Sequence, residues 1–403
     1  MHEPRRRILL LLEATLGGTG RHIVDLTRGL LQRHYEVHLV YSTIRADRQF
    51  LTGLDELRRF SPEFHAYELP IKRSLGLGDF KIFLKLYKYC KQNGPFDLIH
   101  GHSTKAGFLA RLLCAGARTP RIYSPHALMT MDPNLKGLGR IAVCLLESSL
   151  AWISSKVIVV SDDEMISARR TGIPARKLIQ IENGVDLARM DLKARHRRDI
   201  RKLLGIPEDA ACLGYVGRFW EGKNPERVIE TFAILREQSA RTVKLMMVGF
   251  GPLEARLKNL ADQLGCGHDV IWTGEVDGPG YMAAIDVLAL CSRFEAFAYV
   301  LLEACALGIP FVSTRIGAAT ALAGKGAGYV CDPWRPEAYA EIVLRIIEDE
   351  RLLKRLSIAA RKTAEEYSLQ RMLDRICRLY EDTFLHPAPG QAREAFGVGN
   401  PSQ

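Results

Sequence analysis

The chain contains no run of the roughly 18 apolar residues that a membrane-spanning helix needs. It has no Cys-x-x-Cys pair, and its nine cysteines are an odd number placed mostly inside apolar runs. That pattern reads as buried free thiols in a reducing compartment, and it argues against a disulfide or zinc framework. No Gly-x-Gly-x-x-Gly occurs, so the dinucleotide fingerprint of a nicotinamide oxidoreductase is missing. No Asp-x-Asp pair occurs either, so neither a bridging divalent metal nor any other cofactor is expected. No RNA- or DNA-binding motif is present, and nucleic acid is not an expected partner. The start, basic from Met1 to Arg7 and apolar from Ile8 to Leu12, mimics a secretion signal. The apolar run is too short and Glu13 ends it, so a first buried strand is expected there.

What is present is ordinary globular material, with 403 residues, 47% hydrophobic and 25% charged. That length suggests two or three domains. The charge is lopsided. Residues 1–190 hold 28 basic and 18 acidic side chains, which accounts for the whole net charge of +10. A basic half suits an anionic membrane or a phosphorylated substrate.

Two series of short, branched apolar runs alternate with helical stretches. The first comprises Ile8–Leu12, Val37–Tyr41, Asp97–His100, Arg121–Tyr123 and Val157–Val160. The second comprises Cys212–Gly217, Val243–Val248, Val270–Thr273, Val287–Cys291, Pro310–Ser313 and Gly328–Val330. Such runs are the mark of parallel strands covered on both faces. The expected fold is α/β, with two doubly wound parallel-sheet domains whose ligand loops lie at the carboxyl ends of the strands. The expected bounds are 1–190 for the first domain, 191–207 for a charged linker and 208–365 for the second. Residues 366–385 are expected to pack back on the first domain, and 386–403 to form a disordered tail.

Four constellations carry chemistry. Gly17-Gly18-Thr19-Gly20 follows the first strand and opens a helix, which suits backbone N–H approach to an anion or a plain tight turn. Gly217-Arg218 with Lys223 lies at another strand-to-helix corner. There Arg218 can fork across two phosphate oxygens and Lys223 can supply a point charge, or both can be a solvated pair. Gly249-Phe250-Gly251-Pro252 permits close packing or close approach by a ligand. Glu295 ends a loop after a buried strand, and Glu303 lies eight positions on, inside an apolar helix. A carboxylate there is costly without a partner. Sugar hydroxyls would satisfy both acids, and the helix start at Ala298, Tyr299 and Val300 would offer free N–H groups to a diphosphate. The other reading is a salt bridge for Glu303 and a helix-dipole partner for Glu295.

These pieces occur in a familiar order together with Asp97-Leu98-Ile99-His100-Gly101-His102, Pro125-His126, Val159-Val160-Ser161 and Asn183-Gly184-Val185-Asp186. From about residue 6 to residue 384 the chain resembles the family-four retaining glycosyltransferases, which have two Rossmann-like domains facing across a cleft, the GT-B architecture. The resemblance implies a retaining transfer from a nucleotide-diphosphate sugar to a glycan or lipid-linked acceptor, without a metal. It implies that Arg218 and Lys223 neutralise the diphosphate, that Glu303 binds the ribose and that Glu295 holds the donor sugar. It also implies that Gly18 lets the first loop meet the diphosphate and that His126 sits beside the donor sugar. Gly251, Ala298, Tyr299 and Val300 would complete the donor site. The chain departs from the family pattern at Ala296 and Ala298, where relatives often carry glycine.

On the acceptor side, Gly17, Thr19, His102 and Lys105 are candidates. The stretch Lys81–Lys91 is basic on one face and apolar on another. It reads as a helix for an anionic membrane surface or as an ordinary crossover helix. The expectation is a cytoplasmic enzyme of surface or exopolysaccharide synthesis that meets the inner face of the plasma membrane. Two rivals stand beside it, a non-catalytic binder of glycan or partner on the same fold and a nucleotide-sugar epimerase.

Overall fold

The computed structural model of the chain describes residues 5–72, 76, 78–113, 119–332 and 334–385. Cys114 and the tail expected at 386–403 lie outside the described residues. The chain forms two compact units. One runs to Val160 and includes residues 164–181 and the chain from Leu373; the other holds residues 161–163 and 182–372.

The first unit is built on seven strands: β1 Arg7–Leu12, β2 Glu36–Tyr41, β3 Phe64–Glu68, β4 Leu98–His102, β5 Arg121–Ser124, β6 Lys156–Val159 and β7 Leu178–Gln180. Their order is β3-β2-β1-β4-β5-β6-β7, and every pairing is parallel. Ile8 to Leu12 are fully buried, as a central strand with helices on both faces requires. The edge strands β3 and β7 escape a sequence reading because they are short and only partly buried, so their residues need not be apolar. The helices are α1 Gly18–Gln32, α2 Arg48–Phe60, α3 Gly78–Asn93, α4 Thr104–Leu112, α5 Gly137–Ile153 and α6 Asp162–Arg170.

The second unit has six parallel strands: β8 Ala211–Val216, β9 Val243–Val248, β10 Val270–Gly274, β11 Val287–Leu290, β12 Phe311–Ser313 and β13 Gly328–Val330. Their order is β10-β9-β8-β11-β12-β13. Its helices are α7 Leu187–Ala194, α8 Arg197–Leu203, α9 Glu226–Gln238, α10 Glu254–Gln263, α11 Gly278–Met282, α12 Tyr299–Ala306, α13 Ala319–Gly324, α14 Pro336–Glu348 and α15 Glu350–Glu366. One core joins residues of β8, β9, β11, α9 and α14, with Phe232, Tyr215 and Tyr339 fully buried in it. In each sheet the chain first winds one way and then returns to the other side of its first strand. The switch points therefore lie between β1 and β4 and between β8 and β11.

The stretch expected as a linker is not one. Residues 191–207 carry the second half of α7 and all of α8, and they belong to the second unit. The chain leaves the first unit earlier, after Ile181. The charges that suggested a linker are structural. Arg197 donates to the carbonyls of Ala283 and Ile285 at 2.9 and 2.8 Å, and Arg201 donates to those of Ala284 and Pro207 at 3.0 and 2.7 Å. The last helix, α16 Leu369–Leu385, re-enters the first unit at Leu373. There the Tyr380 hydroxyl meets His100 Nδ1 at 2.6 Å, and Arg33 pairs with Asp374 at 2.5 Å.

Helix α5 is inverted relative to a usual surface helix. Its Glu147 is buried and holds the fully buried Arg111 of α4 through two hydrogen bonds of 2.7 and 3.3 Å. Arg111 also lies 3.9 Å over the Tyr123 ring. Meanwhile Leu138, Ile141, Leu145 and Trp152 are exposed, Leu138 at 84%. Charge faces in and large apolar side chains face out, the reverse of the usual surface helix.

Candidate functional site

In the second unit the switch point places two loops side by side, because β8 and β11 pair directly. The loop after β8 carries Arg218 and Lys223, and the loop after β11 carries Glu295. Lys223 and Glu295 form an ion pair, and the Ser292 hydroxyl donates to the same Glu295 oxygen at 3.0 Å. The backbones are tied as well, since the Arg293 N–H donates to the Gly222 carbonyl at 2.9 Å. Arg218 is exposed, and its guanidinium has no hydrogen-bond or ion-pair partner among the described residues. Its carbonyl, by contrast, is fixed by the Tyr215 hydroxyl at 2.9 Å. The loop is thus held by its backbone while the cationic head stays available.

Gly249 and Gly251 are accounted for by packing. A Cβ on Gly249 would lie 2.0 Å from the Gly217 carbonyl oxygen, and one on Gly251 would lie 2.4 Å from that of Phe219. Glycine here lets the loop after β9 lie on the loop after β8, where Phe219 N–H donates to the Phe250 carbonyl at 2.9 Å.

Helix α12 begins directly after the loop that follows β11. Ala298 is its N-cap residue with φ −74° and ψ 108°, so the methyl group costs no backbone strain. No side chain caps the helix and no acid lies in its first turn. Its first amides are therefore the kind that accept an anion. Tyr299 and Val300 open the helix, and Glu303 is buried within it at 7% exposure. Two braces were not visible in the sequence. The Thr314 hydroxyl donates to the Ser292 carbonyl at 2.8 Å, and a Cβ on Gly317 would strike the Ala296 carbonyl at 2.5 Å.

In the first unit, Gly17 is the N-cap residue of α1 with φ 70° and ψ −140°, a backbone that only glycine adopts freely. Its N–H donates to Asp47 Oδ2 at 2.7 Å, while Asp47 Oδ1 caps α2 at Phe50 N at 2.8 Å. Gly18 and Thr19 form the first turn of α1, which no side chain caps. Gly20 is needed for packing, since a Cβ there would sit 2.3 Å from the Thr15 carbonyl. The start of α4 is already filled. The buried Glu13 carboxylate accepts the amides of Lys105 and Ala106 at 3.0 and 2.9 Å and the Ser103 hydroxyl.

His102 is the last residue of β4 and fully buried. Its Nδ1 lies 3.0 Å from His126 Nε2. The structure adds a third imidazole that the sequence reading did not single out. His22 of α1 has its ring 4.5 Å from that of His126 and 5.5 Å from that of His102. Burial, reinforced by neighbouring imidazoles, pushes His100, His102 and His126 well below the ordinary histidine range, so all three are neutral at pH 7. His126 itself has φ 56°, and Ala127 after it has φ 124°. That turn is held by the buried Glu164, whose Oε1 accepts the amides of Ala127 and Leu128 at 2.9 and 3.0 Å and whose Oε2 accepts Val160 N at 2.8 Å. Burial outweighs those bonds and pushes the Glu164 carboxyl up to about 7. Lys105 does not face solvent. Its ammonium is buried against Asp79 of α3 at 2.5 Å, where it links two helices.

Helix α3 has one face in the core and a basic face with exposed apolar side chains toward solvent. Ile82, Leu86 and Cys90 enter the core, while Phe80, Leu84 and Tyr87 are exposed beside Lys81, Lys85, Lys88 and Lys91. No helix among the described residues is long and apolar enough to cross a membrane.

Two family models match the chain, Glycosyltransferase Family 4 over residues 16–189 and Glycosyl transferases group 1 over residues 196–363. Among curated proteins, the chain is 24% identical to the N-acetyl-alpha-D-glucosaminyl L-malate synthase of Bacillus anthracis, over 91% of this chain and 94% of that one. It is 25% identical to the Escherichia coli UDP-Gal:alpha-D-GlcNAc-diphosphoundecaprenol alpha-1,3-galactosyltransferase, over 75% of this chain and 80% of that one. Among solved structures it is similar to Anabaena HepE in complex with UDP and glucose. The TM-score is 0.79 at 21% identity, over 94% of this chain and all of the other.

Proposed function

The chain belongs to the family-four, group 1 glycosyltransferases and has their GT-B fold, and from that premise we propose that it is a retaining hexosyltransferase using a nucleotide-diphosphate sugar. Glycosyl transfer as such follows from the family. The donor class rests on one observation, the unpaired Arg218 beside the Lys223–Glu295 pair at the uncapped start of α12. Departure of a nucleoside diphosphate builds negative charge on phosphate oxygen. A guanidinium, an ammonium and aligned amides fixed in place beforehand lower that barrier without reorganising. In this reading Arg218, Lys223 and the amides of Ala298, Tyr299 and Val300 take the diphosphate. Glu303 takes the ribose hydroxyls, and Glu295, released from Lys223 as the diphosphate binds, takes hydroxyls of the sugar. Gly251 contributes loop backbone. His126 serves the sugar, and the α1 start at Gly17, Gly18 and Thr19, with His102 behind it, serves the diphosphate and the acceptor. Retention follows if the leaving phosphate receives the acceptor's proton on the same face of the sugar. Neither a metal nor another cofactor has a role in this scheme.

The likeness to a UDP-complexed structure and to a UDP-galactose enzyme supports a uridine diphosphate sugar. The test is a panel of nucleotide sugars followed by release of nucleoside diphosphate, with isothermal titration beside it. One donor should be bound and slowly hydrolysed, and Glu303→Ala should cut turnover severely while leaving the protein folded. Failure of every donor to bind would favour a binding protein on the same fold. Consumption of donor without nucleotide release would favour an epimerase.

The acceptor in this reading is a glycan on a lipid-linked diphosphate, in the assembly of a surface polysaccharide at the cytoplasmic membrane face. The support is the outward apolar face of α5 together with the basic surplus of the first 190 residues. Trp152, 62% exposed, carries Arg176 over its ring at 4.9 Å, an arrangement suited to an interface of tails and anionic headgroups. Helix α3 presents the same mixture. Flotation with anionic vesicles should recover the protein, and Leu138→Glu with Leu145→Glu should abolish recovery. Equal recovery with neutral vesicles, or none with either, would remove the membrane from the proposal.

A further inference from the structure

We propose that His22, His102 and His126 form a binding site for one divalent transition-metal ion of the zinc class. The three come from separate elements that converge at the carboxyl end of the first sheet. His22 lies in α1 after β1, His102 ends β4, and His126 follows β5 by two residues. Strands β1, β4 and β5 are neighbours, so their loops rise together. One ligand nitrogen from each ring lies within 4.8 Å of the other two.

The geometry is near what a metal needs. Tetrahedral zinc with nitrogen at 2.0–2.1 Å sets ligand nitrogens about 3.3 Å apart. His102 Nδ1 and His126 Nε2 are at 3.0 Å, so that pair opens by a few tenths of an ångström. Neutral imidazoles bind metal without net loss of a proton, because the donor ring of that pair takes its other tautomer. The ligand set is imidazole alone, which suits zinc, cobalt, nickel or copper and not magnesium or calcium.

The turn that carries His126 is also braced. Glu164 holds the turn after His126 by accepting the amides of Ala127 and Leu128, which fixes the backbone that carries the imidazole. His126 is the least buried of the three. A second grouping, Glu36, His38 and His65, is a poorer site, because Arg7 already occupies Glu36 with bonds of 2.9 and 2.8 Å. Occupancy of the triad takes His126 away from the sugar, so the ion is an inhibitor. That consequence rests on the proposed role of His126, whereas binding itself does not.

Cobalt(II) titration of the full chain in chelator-free buffer decides the matter, because its visible spectrum reports both stoichiometry and ligand type. The expected result is one equivalent bound with a tetrahedral or five-coordinate nitrogen–oxygen spectrum, displaced by zinc and untouched by magnesium. His22→Phe and His126→Ala should each weaken binding at least tenfold, while His65→Ala should not. No visible band, a thiolate charge-transfer band in its place, or undiminished affinity in both triad variants would each overturn the site. Should a variant fail to fold, the wild-type spectrum still separates imidazole from thiolate ligation.

Discussion

Lys223 and Glu295, far apart in sequence, neutralise one another at the carboxyl ends of two adjoining strands. The pair is partly open to solvent, with the two side chains 23% and 17% exposed. Such a pair contributes about 1 kcal/mol or less to stability. Lys223→Met should therefore shift the melting temperature by only a few degrees. If Lys223 meets the departing phosphate, turnover should fall about 100-fold or more. Glu295→Gln should raise KM and lower kcat, and the double variant should lose less than the two single losses together. A large melting shift with turnover intact would make the pair structural.

Arg111 and Glu147 test the opposite case, a pair with no expected part in chemistry. Both are buried, so removing one partner strands the other's charge in a low dielectric. Glu147→Ala should cost about 3–5 kcal/mol, while replacing both by apolar residues should recover most of it. Urea midpoints of the three variants provide the check. The double replacement also loosens the anchor of α5, so vesicle binding measured alongside shows whether the outward face depends on it.

The two βαβ series were legible because a buried parallel strand must be apolar on both faces, as Ile8–Leu12 and Val243–Val248 are. The loops with Gly17, Arg218 and Glu295 stood out only as a set, because each is a weak signal alone and their shared order and spacing carried the family resemblance. What escaped the sequence were residues whose partners are distant. Glu147 in α5 reads as one more surface acid, and nothing local says that Arg111 meets it. Glu164 and Asp47 likewise act on amides more than 25 positions away. His22 looks like an ordinary helix residue until β4 and β5 bring two more imidazoles to it. The charged stretch before Leu203 misled for the same reason, since Arg197 and Arg201 face carbonyls inside the second unit.

Gly249 offers a test of loop packing. Its φ is 138°, and an added Cβ would sit 2.0 Å from a backbone oxygen that no rotamer change can move. Gly249→Ala should destabilise by about 2–3 kcal/mol and weaken nucleotide binding by displacing the Arg218 loop. Gly139→Ala is the control. It lies in α5 with only Leu135 at 3.6 Å, so it should stabilise by about 0.5–1 kcal/mol. Equal effects at the two positions would mean that the loop after β9 is free to move.

The first unit should be acid-sensitive in a pH range where ordinary carboxylates are still ionised. His100, His102 and His126 are held below 6.5 by burial, so the unfolded chain takes up their protons first. Stability from these groups is complete above about pH 6.5 and is lost as pH falls below it. Glu164 acts the other way. Its folded carboxyl stays protonated up to about 7 against 4.5 unfolded, so its contribution falls as pH rises through that window. Between pH 6 and 5 the three imidazoles and the one carboxyl act in opposite directions, and the imidazoles outnumber it. Stability should therefore fall as pH falls, and Glu164→Gln should steepen the fall. His38, also lowered mainly by burial, adds in the same direction. Hydrogen exchange of β4 and β5 peptides between pH 7 and 5, corrected for intrinsic rates, measures the slope in this unit alone. A flat profile would mean that these imidazoles are solvated and charged, and the neutral cluster assigned here would then be wrong.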